Sequence, residues 1–180
     1  MKVARHYLEA ELKLTVNATK IPIAHSDEGI KFLGVVIHTK YTRIQDKKVA
    51  QLKQMLKALT KRNRGVGLAA IIRELNAVLR GFVNYFRVAN CARVLKQVMS
   101  WVRRRLRCIQ LTHWKKPGRL HRRLKQLGYR PPFQFIKVRS WPNAASPLAH
   151  YAIPNAYLHN DLGLVDLTRV GTGITVPELG

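Results

Sequence analysis

Between Lys47 and Arg139 the chain carries 25 Lys or Arg residues and a single acid, Glu74. A stretch with that balance cannot neutralise itself through internal ion pairs. Apolar burial must fold it, with the cations directed outward. The remainder of the 180-residue chain holds 8 basic and 8 acidic side chains, so the formal net charge of +24 resides in this block. Like charges at this density repel one another, and a polyanion relieves the repulsion. A solvated basic face and an acidic membrane surface are the alternatives. The regular apolar stripes within the block favour a folded domain with a nucleic-acid partner over both.

Those stripes repeat with the helical period. Asp46 is expected to N-cap a helix with Val49, Leu52, Leu56 and Leu59 on one face. The tract Lys61-Arg-Asn-Arg-Gly-Val-Gly67 breaks it. A second helix carries Leu68, Ile71, Ile72, Leu75, Val78, Leu79, Phe82 and Phe86 at core spacing, and a third carries Val94, Leu95, Val98, Trp101, Val102, Leu106 and Ile109. Three consecutive amphipathic helices joined by short loops are the pattern of a small bundle. Pro117 suits the first position of a fourth helix, and Gly128 suits its C-terminal stop after Leu120, Leu124 and Leu127.

Upstream, Tyr7, Leu8, Leu12 and Leu14 mark a helix end, and Asn17 to Lys20 a turn or loop. Ile30–Ile37 reads as one strand, returning over His38–Ile44 as a hairpin. Downstream, Pro131-Pro132 ends the fourth helix and Phe133–Val138 could be a short strand. Prolines at 142, 147, 154 and 177 leave short helices near Leu148–Ile153 and Asn155–Asn160, then an unstructured end. The expected architecture is mainly α: residues 1–45 a helix end and short β-hairpin, 46–128 a small helical bundle, and 129–180 an irregular, Pro-rich C-terminal extension with short helices.

Several chemistries lack their residues. Two-metal polymerases and nucleases need clustered carboxylates to neutralise two divalent cations. The nine acids here are scattered, and the adjacent pair Asp27-Glu28 precedes Gly29 as a turn. The seven His show no metal-ligand spacing, and neither a nucleophile elbow nor a phosphate-cradling Gly-x-x-x-x-Gly-Lys loop occurs. Cys91 and Cys108 read as buried structural thiols and give no disulfide framework. No apolar run approaches the ~18 residues that cross a bilayer. The chain is therefore expected to be a non-enzymatic, cofactor-free protein of a reducing interior, the bacterial cytoplasm or an organelle, with no membrane partner.

Arg103, Arg104, Arg105 and Arg107 fall within little more than one turn of the third helix. They are expected to fan over the surface not used by Trp101, Val102 and Leu106. Lys115, Lys116, Arg119, Arg122, Arg123 and Lys125 continue the basic surface into the next helix. Arg80 and Arg87, seven apart, share a face and suit phosphate contacts. Arginine fits this work because its planar fork makes bidentate contacts to phosphate. Trp101 is expected in the core, whereas Trp114 can equally stack on a base or pack. For Asn84 and Tyr85 structural hydrogen bonding is favoured over RNA contact, and Gly81 is expected to permit close helix packing.

Leu79-Arg-Gly-Phe-Val-Asn-Tyr-Phe-Arg87, Trp101-Val-Arg-Arg-Arg-Leu-Arg107 and His113-Trp-Lys-Lys116 together resemble the maturase-specific (domain X, thumb) region of group II intron-encoded reverse transcriptases. Upstream, Leu12-Lys-Leu-Thr-Val-Asn-Ala-Thr-Lys20 and Gly29-Ile-Lys-Phe-Leu-Gly34 are similar to the end of the palm in that family. Downstream, Ser146-Pro147, Pro154-Asn-Ala-Tyr-Leu158 and Leu162-Gly-Leu164 are similar to its C-terminal end. The similarity covers roughly residues 8–168. It implies a thumb-type bundle after a palm remnant, and binding of structured, intron-like RNA in support of splicing. DNA or an RNA–DNA duplex is a further candidate partner. Asn17 and Lys20 would touch a primer or template by this analogy, or simply cap a loop. The Tyr-x-Asp-Asp motif that carries the family's catalytic metals has no counterpart in these residues, so autonomous DNA synthesis is not expected. Two other readings stay open: the C-terminal half of a split RNA-directed DNA polymerase completed by an upstream fingers–palm chain, and a decayed remnant of a mobile element.

Overall fold

The computed structural model describes residues 6–13, 28–114, 116–133, 144 and 146–169. Strands β1 (Ile30–Phe32), β2 (Val35–Ile37) and β3 (Thr42–Ile44) are followed by helices α1 (Asp46–Leu59), α2 (Leu68–Phe86), α3 (Ala92–Trp114), α4 (Pro117–Gln126) and the single turn α5 (Ala149–Ala152). A wide π-type turn spans Tyr7–Glu11 and another Tyr157–Asp161, and a 3₁₀ turn covers Leu167–Arg169. The chain is mainly helical, with a small sheet ahead of the helices. Asn17, Lys20 and the expected strand beyond Phe133 lie outside the described residues, as does the C-terminal end.

The single strand expected over Ile30–Ile37 is two strands. Leu33 and Gly34 both take positive φ, 45° and 86°, and Phe32 pairs with Val35. A two-residue turn with both φ values positive matches the twist of antiparallel strands. Gly34 tolerates that backbone, and any Cβ there would lie 3.3 Å from the Phe86 ring. The hairpin is thus a three-stranded antiparallel sheet in the order β1-β2-β3, with Val35 facing Ile44 across its second pair.

Side chains fix the sheet to the helices. Tyr85 Oη donates to Leu33 O at 3.1 Å, Thr42 Oγ1 to Val88 O at 3.0 Å, and Asn90 N to Thr42 O at 2.9 Å. The α1 cap position is Gln45 and not Asp46: Gln45 is extended and its Nε2 donates to Val35 O at 3.2 Å. Asp46 instead lies in the first turn, where its carboxylate complements the helix dipole and accepts from Arg43 Nη1 at 3.2 Å.

The apolar stripes of α1, α2 and α3 meet as their periods predict. Leu52 and Leu56 of α1, Ile71, Ile72, Leu75 and Leu79 of α2, and Leu95, Val98, Met99 and Val102 of α3 are all buried in one cluster, with Val35 and Ile44 of the sheet. Gly81 does not serve close packing: a Cβ there would meet nothing within 4 Å. α4 starts at Pro117 and stops where Gly128 takes φ 85°. Gly128 N and Tyr129 N then donate to Lys125 O and Leu124 O, both at 3.0 Å, closing the last turn as a glycine C-cap does.

The C-terminal part of α3 departs from amphipathicity. Six consecutive residues, Leu106 to Leu111, are buried, more than one helical face can supply. The segment after residue 148 covers the second face: Ala152, Ile153, Tyr157, Leu158, Leu164 and Leu167 join the same core. The expected short helices at Leu148–Ile153 and Asn155–Asn160 thus appear as α5 and the Tyr157–Asp161 turn. Asn76 of α2 pins the chain beyond them, donating to Gly163 O at 2.8 Å and accepting from Val165 N at 2.9 Å.

Candidate nucleic-acid interface

On α4, Leu120 and Leu124 are one turn apart and both buried, which turns the rest of the helix outward. Lys116, Arg119, Arg122, Arg123 and Lys125 are all exposed, and the helix holds no acidic residue. Arg123 Nη1 donates to Gln126 Oε1 at 3.2 Å, a contact along its own helix that leaves the remaining guanidinium N–H groups open among the described residues. The result is a short cationic ridge on an apolar seam. Lys115, expected to extend it, lies outside the described residues.

The arginine run of α3 behaves differently. Arg105 Nε donates to Thr60 Oγ1 at 2.5 Å and its Nη2 to Thr60 O at 3.1 Å, so the guanidinium caps the C-terminus of α1. The same group lies 5.0 Å over the Trp101 ring, and burial holds its pKa below the usual arginine value. Arg107, expected on the surface, is instead 1% exposed. Its Nε donates to Ile153 O at 2.8 Å and its Nη2 to Asn155 Oδ1 at 2.5 Å. Burial first, then the charges of Arg103 and Arg104, push its pKa down to about 10, so it remains a cation at neutral pH. The reason for this inward placement is the C-terminal segment, which encloses the face that a free amphipathic helix would expose.

Arg103 and Arg104 are half-buried. Arg103 Nη1 lies 3.3 Å from His159 Nε2, while His159 Nδ1 lies 2.7 Å from Leu164 O. A carbonyl only accepts, so Nδ1 carries the proton and Nε2 accepts from Arg103. Burial raises the Cys108 thiol pKa against the opposing pull of nearby arginines, so this side chain is a packed thiol, and Cys91 is likewise buried.

Arg80 and Arg87 are exposed, as is Asn84. Tyr85 is exposed too, but its hydroxyl serves the tie to Leu33. Trp114 is half-buried against the core, tilted at 5.9 Å from the Tyr157 ring, so packing occupies it. Glu74, the one acid of the basic block, accepts from Arg64 Nη2 at 2.8 Å, and Arg64 Nη1 donates to Leu59 O at 2.8 Å. That pair closes the loop between α1 and α2.

Sequence reasoning missed Asn76, Asn155 and His159, which hold the C-terminal segment and the α3 arginines together. Each acts across 48 to 89 positions of sequence, and no local pattern marks such a partner. The chemistry on offer is electrostatic and multidentate. Among the described residues, no group of His, Cys, Asp and Glu could hold a metal ion, and no helix is long and apolar enough to cross a membrane.

Residues 49–128 match the family described as group II intron, maturase-specific domain. No curated protein matches the chain. The matched span opens within the first turn of α1, takes in α2, α3 and α4, and ends on Gly128, the residue that terminates α4. Its interior is the apolar cluster of the first three helices, and its cationic ridge is α4. From the first turn of α1 to the α4 stop, this chain is similar to the group II intron maturase-specific domain.

Proposed function

We propose that the chain binds structured, group II intron-like RNA through its outward cations and supports splicing without adding nucleotides by itself. The observation that carries this reading is the α4 ridge. Five exposed cations stand on a seam of two buried leucines, while the block's only acid is already held by Arg64. Arg80 and Arg87 add two exposed forks on α2. Such groups meet phosphates with bidentate geometry and fix orientation without reading sequence. Discrimination then comes from RNA shape, since A-form helices hide their base edges in a deep, narrow groove.

Dispersed acids support the second half of the proposal, because nucleotide addition by two metals requires carboxylates brought together. Affinity for a group II intron RNA against an equal length of unrelated duplex, over several salt concentrations, tests the reading. With 6–10 phosphate contacts, affinity falls about 10³–10⁵-fold between 50 and 200 mM salt. Preference for the intron RNA supports specific recognition, and equal binding to both reduces the claim to nonspecific polyanion binding. Primer extension by the purified chain alone would overturn the non-polymerase part.

One observation favours a second reading, in which a fingers–palm chain completes a polymerase in trans. Phe32, Leu33, Ile37, Tyr85 and Val88 are exposed apolar side chains around a groove of about 420 Å³ beside the sheet. Among the described residues β1 pairs with β2 alone, so its outer edge can accept another strand. An adjacent reading frame encoding a Tyr-x-Asp-Asp palm, whose product restores primer extension on mixing, is the expected outcome of that reading. Failure of the mixture to extend a primer removes it.

A further inference from the structure

Arg103 and Arg107 are one turn apart on α3, and Arg104 lies between them. The side edge of the Arg107 guanidinium is occupied by Ile153 O and Asn155 Oδ1. Its other terminal nitrogen, Nη1, is buried and has no hydrogen-bond partner among the described residues. Arg103 Nε is buried in the same condition, although its Nη1 serves His159. Arg107 feels the like charges of Arg103 and Arg104. His150, across from α3, feels all three arginines at once.

Among the described residues, Asp166 acts on the Arg103 and His159 end, its carboxylate accepting from Thr168 N at 3.0 Å and Thr168 Oγ1 at 2.6 Å. Burying unpaired N–H groups on like charges is costly, and such groups in a folded protein call for a partner such as an ion.

We propose that Arg103, Arg104 and Arg107, where α3 meets the segment Ala149–Asn155, form a site for one oxyanion of phosphate type. The donors fit that chemistry. With Nε and Nη2 engaged along one side, the end of the Arg107 fork still offers the Nη1 hydrogens and the second Nη2 hydrogen, a pair suited to two oxygens of a tetrahedral anion. Arg103 Nε supplies a donor from the next turn up. Arg103 and Arg104 are half-buried and Arg107 is enclosed, so the group runs from the surface toward the interior. The occupant is either a backbone phosphate of RNA or free inorganic phosphate. The site does not depend on the RNA-binding reading, which rests on α4.

The test uses the full chain and inorganic phosphate, compared with chloride at matched ionic strength. Saturable one-site binding, seen by phosphorus NMR and as a rise in thermal midpoint beyond that with chloride, is the expected result. Arg103→Gln and Arg104→Gln, whose half-buried positions tolerate the change, should each weaken phosphate by at least about ten-fold. Arg73→Gln, at an exposed position of α2, should leave it unchanged. Binding that tracks ionic strength alone, or that survives both α3 substitutions at wild-type strength, overturns the site. With the site established, added RNA that displaces phosphate assigns it to the nucleic-acid backbone, and simultaneous occupancy assigns it to the free anion. Absence of phosphate binding with retained RNA binding would sink this site and leave the α4 reading intact. The converse would do the reverse.

Discussion

On α3, Arg105 and Arg107 hold carbonyl oxygens of their own chain, whereas on α4 Arg119, Arg122 and Arg123 stand in solvent. The two helices are consecutive, similarly rich in arginine and nearly free of acids. What separates them is cover. The segment from Ala149 to Leu167 closes over the second face of α3 and brings backbone acceptors within reach of its guanidiniums. The outer face of α4 carries exposed cations, with Gly118 and Gln126 beside them. Arginine in a basic helix is thus not by itself evidence of ligand contact, because the same fork that grips phosphate also caps helices and satisfies buried carbonyls.

The largest expected effect breaks the α4 side of this contrast. Replacing Arg119, Arg122, Arg123 and Lys125 together by Gln should lower RNA affinity roughly a thousand-fold, taking about 1 kcal/mol per charged contact. The salt dependence should become shallower by about 0.7–0.9 in logarithmic slope for each phosphate that is no longer neutralised. Thermal stability should stay nearly constant, because these side chains are exposed. A filter-binding series over salt, beside a melting curve, checks both halves. Unchanged affinity would move the interface elsewhere.

Arg107→Ala inverts the pattern. It leaves Ile153 O without its buried donor and opens a cavity, so unfolding in denaturant should show a loss of about 3 kcal/mol. Arg105→Ala should cost less, about 1–2 kcal/mol, because that guanidinium is only half-buried and Thr60 can turn to its own helix, where its Oγ1 already donates to Leu56 O at 2.6 Å. If both variants melt as the wild type does while RNA binding falls, Arg105 and Arg107 do not hold the fold and the contrast collapses.

The three core helices are legible in the sequence because their apolar positions recur every third or fourth residue, and period alone orients each stripe. The α4 boundaries are legible for a different reason: Pro117 and Gly128 each impose a backbone geometry that local sequence announces. Leu33-Gly34 announces its turn too weakly, since a leucine in the left-handed region is uncommon and the run around it is dense in β-branched and aromatic residues. The site divides along the same line. Exposed cations on α4 follow from two leucines one turn apart. The inward turn of Arg107 depends on a segment that starts more than 40 positions later and carries no helical period of its own. Gly81 shows the converse error, a residue expected to admit a neighbouring helix that instead faces open space.

The smallest expected effect sharpens the contrast from the α3 side. Burial, then the fields of Arg107, Arg104 and Arg103, hold the His150 pKa below its ordinary value. An unfolded chain would titrate this histidine near ~6.5, so as pH falls through that point the unfolded state binds the proton first. Stability is therefore full above the unfolded value and declines as pH drops toward the folded one, below which this contribution is flat. Melting curves from pH 7.5 to 5 should show the decline, and His150→Gln should flatten it. A phosphate bound among the three arginines would oppose their field and raise the His150 pKa, so phosphate should flatten the wild-type slope too. It should leave the His150→Gln slope as it was. A wild-type slope indifferent to both phosphate and the substitution would mean that the arginines of α3 exert no net field on their cover, and that the two cationic helices differ in burial alone.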